Sequence, residues 1–331
     1  MSADQVPPST RTYFREAIAR ALREEMRDNA KILVLGQDVG AFGGSYREFD
    51  GLYKEFGSGR VRDTPVAENA TIGIGVGLAA AGFRPVVGIT YMDFLMLGLD
   101  PLVNYAAKLR YKTAGALTAP IVVKTTAGAL GQGVAHSQCI EAWLMSVPGL
   151  TVVAPSNPAD AYGLMKTALK AQGPVVYIDH KRLFPIPGEV SVAPSSLEFG
   201  KAAVRRTGSD ITLISHGYMV TPVLDAATLL ADQGISCDVI DIRSLAPLDI
   251  VTIVASVSKT GALLTVEEGQ ATCGVGAEVA ARLNDRFLRF HWSRLGAEPA
   301  PVSSNPVLEA ACLPNSARIV AAVHSLLSRV R

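Results

Sequence analysis

Short, continuous apolar runs alternate with helix-like stretches along almost the whole chain. This alternation constrains the fold more than any single residue does. Lys31–Leu35, Pro85–Ile89, Pro120–Lys124, Leu150–Ala154 and Pro174–Asp179 read as strands. Residues 11–28, Thr71–Ala81, Phe94–Arg110, Ser137–Ser146 and Asp160–Gln172 read as the helices around them, and Val61–Val66 reads as extended. Strands that stay apolar at every position are buried on both faces, which calls for a mostly parallel sheet covered by helices. Residues 185–200 interrupt the pattern with three prolines. A second series then begins, with strands at Asp210–Ser215, Ile235–Ile242 and Ala262–Glu267. Its helices are Val220–Gln233, Asp249–Ser258, Val275–Phe287 and a last one from Asn315 to Leu327. The expected fold is α/β, with tandem domains at residues 1–186 and 201–331 and a linker at 187–200.

Composition narrows the function. Hydrophobic residues make up 49% of the chain but aromatic ones only 6%, so the apolar content is small and aliphatic. This is the opposite of a disordered chain. Lys plus Arg is 31 and Asp plus Glu is 30, so the basic excess of a nucleic-acid binder is missing. The longest uncharged stretch, Ala142–Ala159, carries Pro148, Pro155 and Pro158 and is polar in its second half, unlike a spanning helix of about 20 apolar residues. The segment Met1–Phe14 lacks a basic-then-apolar targeting pattern, so a cytoplasmic protein is expected. Cys139, Cys237, Cys273 and Cys312 form no CxxC pair and read as reduced, buried thiols. Charged residues are only 18%, against about 25% in ordinary soluble proteins. Either the fold is unusually compact or another chain covers part of its surface.

Several residues invite chemistry. Glu68 is followed by fifteen uncharged residues, Asn69 to Phe83. A lone carboxylate at the head of such a helix is expected to be buried, and burial would make it a proton partner. The bland alternative is a helix-start acid favoured by the dipole, and position alone favours it. Gly75, Gly77 and Ala80 resemble a dinucleotide fingerprint but lie inside the helix, so close packing explains them better. His136 follows the glycine-rich GALGQGVAHSQ and sits before an expected helix start, which suits either proton transfer or a backbone-satisfied structural role. Asp93 and Phe94 fall at a strand-to-helix junction, the edge of a parallel sheet where ligands bind. Gly274 and Gly276 open a helix that could hold an anion. Glu267 and Glu268 read as a solvated turn, and His324 as packing on an apolar helix face.

In order along the chain, LGQDVG, RVRDTPVAE, YMDF, NYAAKLRY, AHSQ, PGLTVVAPSNPADAYGL, GSDITLISHG, VIDIRSLAPLD, SVSKTGALLTVEE and GVGAE form a collinear set. From about Thr12 to Val323 the chain resembles the beta subunits of the decarboxylating component of 2-oxo acid dehydrogenase complexes (pyruvate, branched-chain and acetoin types). The resemblance implies a transketolase-like fold, with a pyrimidine-binding domain for thiamin diphosphate followed by a transketolase C-terminal-like domain. It places Glu68, Phe94 and Thr90 at the cofactor. Glu68 would bond a pyrimidine ring nitrogen and favour the imino tautomer, which takes the thiazolium proton. Phe94 would pack on the pyrimidine ring. His136 would be the active-site histidine, acting in proton and acyl transfer to a lipoyl acceptor.

The resemblance also implies a partner. Its diphosphate and Mg²⁺ are held by a GDG motif, and this chain has none. That half of the site would come from an alpha subunit in an α2β2 heterotetramer, with no metal ligand on this chain. Some members hold a structural K⁺ by carbonyls matching Ile121 and Ala168–Gly173, but Ala171 stands where an acidic residue is common, which weighs against that ion. Other departures are Gln37 for a common Glu, Lys124–Thr125–Thr126 for Arg-x-Pro, Pro101 for Gln, and FLRFHWSRLGAEPAP for an LDAPV-like segment near the docking region of a lipoyl acyltransferase. They motivate an alternative: a thiamin-dependent acyl or ketol transferase, or an acyloin-type carbon–carbon ligase or lyase, independent of lipoyl. A nucleotide-binding module is a third, weaker reading.

Overall fold

The computed structural model describes residues 8–193 and 195–329. Residues 1–7 of the segment read above for targeting lie outside the described residues, as does Pro194 of the expected linker. The chain divides into two compact units, Met1–Thr126 with Pro148–Leu150 and Asn157–Phe199, and Ala127–Val147 with Thr151–Ser156 and Gly200–Arg331.

In the first unit the order is β1 (Ser9–Tyr13), α1 (Phe14–Asp28), β2 (Ile32–Gly36), α2 (Leu52–Phe56), β3 (Val61–Asp63), α3 (Glu68–Ala80), β4 (Arg84–Ile89), α4 (Met92–Leu95), α5 (Leu109–Lys112) and β5 (Val122–Ala127). Strands β2/β3, β2/β4 and β4/β5 pair in parallel. The second unit takes α6 (Glu141–Met145) and β6 (Thr151–Val153), and the first resumes with α7 (Pro158–Lys170), β7 (Val175–His180) and β8 (Pro187–Ser191). β7 follows β5 in the sheet order β7-β5-β4-β2-β3. β2 and β7 are buried at every position, as the apolar runs require.

The second unit continues with β9 (Ala203–Arg206), β10 (Ile211–Ser215), α8 (Val220–Ala231), β11 (Cys237–Asp241), β12 (Ser244–Ala246), α9 (Ile250–Thr260), β13 (Ala262–Gln270), α10 (Val275–Asn284), β14 (His291–Ala297), α11 (Pro306–Cys312) and α12 (Ser316–Leu327). Its sheet order is β14-β13-β10-β11-β9, with three parallel pairs and β9 antiparallel at the edge. Ile211, Leu213, Val239 and Leu264 meet α8 and α12 through Val223, Leu230, Ile319 and Val323 in one buried cluster.

Four expectations change. The proline-bearing stretch expected as a linker carries β8, which pairs antiparallel with β1. The expected helix from Phe94 to Arg110 changes winding: α4 passes into a 3₁₀ turn at Met96–Gly98 and a π-helical segment at Asp100–Ala106. Pro101 lacks the N–H for a regular ladder, and the hydrogen bonds slip around it. The helix expected from Ser137 begins only at Glu141. His324 is exposed, and its Nε2 lies 2.7 Å from Gln233 Oε1.

Candidate active site

The glycine-bearing helix α3 packs on the sheet because Gly75 has no side chain. A Cβ there would lie 2.8 Å from Val87 and 2.7 Å from Ile121. This close approach, not a dinucleotide, explains Gly75. Glu68 occupies the first turn of α3, after Ala67, and Thr71 Oγ1 donates to Ala67 O at 2.9 Å. Glu68 is half-buried, not buried as expected. The first turn of α3 lies beside Val66 and Asn69, both exposed.

Thr90 follows β4 at the C-terminal edge of the parallel sheet, and Phe94 sits on α4 just beyond it. Both are half-buried. The head of α3 meets the turn after Phe94, where Asn69 Nδ2 donates to Leu97 O at 3.4 Å. A Cβ on Gly98 would touch Glu68 O at 3.3 Å. Glu68, Thr90 and Phe94 are therefore carried on adjoining elements of one unit. They offer a carboxylate acceptor, a hydroxyl and an accessible ring, and this donor set fits an aminopyrimidine.

His136 belongs to the other compact unit. It is half-buried in an irregular segment, its N–H donating to Gly133 O at 3.1 Å. Because α6 starts five residues later, His136 does not sit at the helix start expected for it. Neighbouring Val134 and Ser137 line a cavity of about 530 Å³ shared with Glu141, Glu267, Glu268 and Trp143.

The carboxylates of that cavity depart from expectation. Glu267 is buried, and its carboxylate accepts the N–H groups of Val275 (2.8 Å) and Gly276 (3.0 Å). It is the cap of α10, so the anion expected at these glycines is the chain's own side chain. Glu268 accepts from Ala129 N at 2.7 Å. Burial pushes Glu141 up to about 8, and Glu267 and Glu268 add to the effect. His216 Nε2 stands 4.0 Å from it. Sequence reasoning missed Glu141, although it is the one charged residue between His136 and Asp160.

Around the expected K⁺ position, Arg84 Nη1 donates to Leu169 O (3.1 Å) and Ala171 O (2.7 Å). Gln172 Nε2 donates to Lys170 O (3.4 Å), and Val175 N to Ile121 O (2.9 Å). These carbonyls have donors from the chain itself, so the observed contacts do not support K⁺ there. Among the described residues no cluster of three or more His, Cys, Asp or Glu is placed to hold a metal. The cysteines are free, with Cys237 and Cys312 buried, Cys139 half-buried and Cys273 exposed, so only two match the expected burial. No helix among the described residues is long and apolar enough to cross a membrane.

Two α/β units, each built on a mostly parallel sheet with covering helices, have the architecture of a transketolase-type protein. Residues 11–187 match the family "Transketolase, pyrimidine binding domain" and residues 200–319 match "Transketolase, C-terminal domain". A solved structure, "Split gene transketolase, inactive beta4 tetramer", superposes with a TM-score of 0.79 at 25% identity, covering 95% of this chain and 98% of that one. The chain is 40% identical over 317 residues to the pyruvate dehydrogenase E1 component subunit beta of Rhizobium meliloti, covering 94% of this chain and 69% of the relative. It is 42% identical to the mitochondrial subunit beta-1 of Arabidopsis thaliana, covering 93% and 87%, and 40% identical to the Bacillus subtilis subunit, covering 82% and 85%. The chain belongs to the family of pyruvate dehydrogenase E1 beta subunits, the thiamin-dependent 2-oxo acid decarboxylating class that its motifs indicated.

Proposed function

We propose that this chain supplies the pyrimidine half of a thiamin diphosphate site in an enzyme that decarboxylates a 2-oxo acid and passes the acyl group to a lipoyl acceptor. The observation that carries the reading is Glu68 at the head of α3, which meets the turn after Phe94, in a chain of this family. Thiamin diphosphate, when bound, supplies the electron sink for loss of CO₂. Glu68 accepts a hydrogen bond from a ring nitrogen and holds a proton there. Phe94 presents its face to the ring, and Thr90 fixes the ring edge with its hydroxyl. His136, on the other unit, would act in proton transfer and in acyl transfer to the acceptor.

A second chain is part of the proposal. With no GDG motif in the sequence, the diphosphate and its Mg²⁺ fall to an alpha subunit, in an α2β2 heterotetramer. Helix α3 supports this. After Glu68 it has no charged residue, and Ile74 on its outer face is 56% exposed. A helix apolar all round belongs inside a larger assembly. Residues 1–186 and 201–331 are proposed as the functional domains, supported by the bounds of the two family matches. The cytoplasm is the proposed compartment, where four free thiols stay reduced. A lipoyl acyltransferase is the proposed acceptor partner, and pyruvate leads among 2-oxo acids because the relatives are pyruvate dehydrogenase subunits.

The test is co-expression with a GDG-bearing alpha chain and assay of dye reduction with pyruvate and with branched-chain 2-oxo acids. Activity with the pair and none with either chain alone is expected. Pair activity that needs no thiamin diphosphate would contradict the reading.

A further inference from the structure

A buried charge cluster lies under the site edge and has no part in the chemistry above. Lys124 on β5 is 1% exposed, Glu48 1% and Asp179 on β7 0%. Lys124 Nζ is 2.8 Å from Glu48 Oε1 and 2.7 Å from Asp179 Oδ2. It also lies 3.3 Å from Thr126 Oγ1. Two carboxylates share one ammonium, so ionisation of all three leaves a net negative charge in the interior. Such a cluster persists only where its members are tightly paired. Tyr177 on β7 feels the charge of Asp179, His180 follows Asp179 in the chain, and the buried Lys181 stands one residue further on.

The cluster connects to the site by direct contacts. Glu48 Oε2 accepts the N–H of Tyr46 at 2.9 Å, so one carboxylate ties Lys124 to the Tyr46 backbone. Lys124 Nζ lies 5.3 Å from the ring centre of Phe184, and Phe184 stacks on Tyr46 at 4.6 Å. The Tyr46 and Tyr91 hydroxyls are 3.4 Å apart, and Lys181 lies over Tyr91 at 4.2 Å. Tyr91 stands between Thr90 and α4, and its carbonyl accepts the N–H of Phe94 at 2.9 Å.

We propose that Lys124 is a positioning residue for the Thr90–Phe94 segment, acting through the Glu48–Tyr46–Tyr91 contacts, and that Asp179 makes this positioning sensitive to pH. The inference rests on the reading of Phe94 as a cofactor contact. Burial pushes Asp179 up to about 6 against the pull of Lys124, and Glu48 adds to the rise. Burial lowers Lys124, but the two carboxylates outweigh it and keep it above its ordinary value. With Asp179 protonated the ammonium belongs to Glu48 alone, and the tether to Tyr46 is tightest. As pH rises through about 6, Asp179 competes for Lys124 and the tether slackens.

The experiment measures the dissociation constant of thiamin diphosphate by intrinsic fluorescence in the assembled alpha–beta complex, across about pH 5 to 8. The parent affinity is expected to weaken as pH rises through about 6, and Asp179→Asn to lose this step while remaining folded. Lys124→Met is expected to weaken binding by about tenfold with a smaller change in kcat at saturation, and Lys124→Arg to recover most of it. Equal pH profiles for parent and Asp179→Asn, or Lys124→Met binding as tightly as the parent, would overturn the positioning role. Phe94→Ala separates this from the site reading. Unchanged affinity in Phe94→Ala overturns the cofactor contact itself, whereas a loss there with none in Lys124→Met overturns only the inference.

Discussion

At the scale of single residues, two carboxylates show how much burial depends on the fold. Glu68 looked buried because fifteen uncharged residues follow it, yet it is half-buried at a helix head. The role proposed for it rests on the collinear motifs, because a helix-start acid carries no distinguishing local signal. Glu141 stands out in sequence only as a lone charge between His136 and Asp160, and the fold brings two other carboxylates near it. Protonated Glu141 is the form the fold favours. Its contribution to stability is fully present below the ordinary glutamate range and is lost as pH rises through about 8. The thermal midpoint of the parent is therefore expected to fall by roughly 3–8 °C between about pH 6 and 9 through this group, and Glu141→Gln to remove most of that fall. Matching pH curves for the two proteins in a calorimetric scan would dismiss this role for Glu141.

At the scale of elements, the buried strands were legible and the edges were not. β2 and β10 are largely apolar runs and β7 opens as one (VVYI), and each falls within about a residue or two of its expected bounds. β1 is STRTY and β14 is HWSRLGA, sequences whose polar and charged residues hide the pairing. Pairing of β1 with β8 is also a contact across the whole first unit, invisible to local pattern. Helix α3 carries two opposite predictions for its glycines. Gly75→Val drives a side chain into Val87 and Ile121 and is expected to cost about 1–3 kcal/mol. A Cβ on Gly77 would meet nothing within 4 Å, so Gly77→Ala is expected to stabilise the lone chain by about 0.5–1 kcal/mol. The same Gly77→Ala change is expected to weaken co-purification with the alpha chain, because it fills the face assigned to the partner. Denaturant titration and a pull-down measure the two effects independently.

At the scale of the whole molecule, the low charge content goes with large apolar side chains exposed on both units. Ile74, Leu97, Tyr105 and Leu117 in the first unit, and Leu130, Trp143, Phe287 and Val307 in the second, are all exposed. The lone chain is expected to aggregate or self-associate, and the alpha partner to convert it to one defined species in size-exclusion chromatography. A monodisperse lone monomer would contradict that. The most direct test of the central claim is pyruvate-dependent dye reduction by the chain paired with a GDG-bearing alpha chain, comparing the parent with Glu68→Gln at saturating thiamin diphosphate. The account predicts loss of at least about a hundredfold in the variant with the complex intact. An intact Glu68→Gln complex turning over at the parent rate would contradict it.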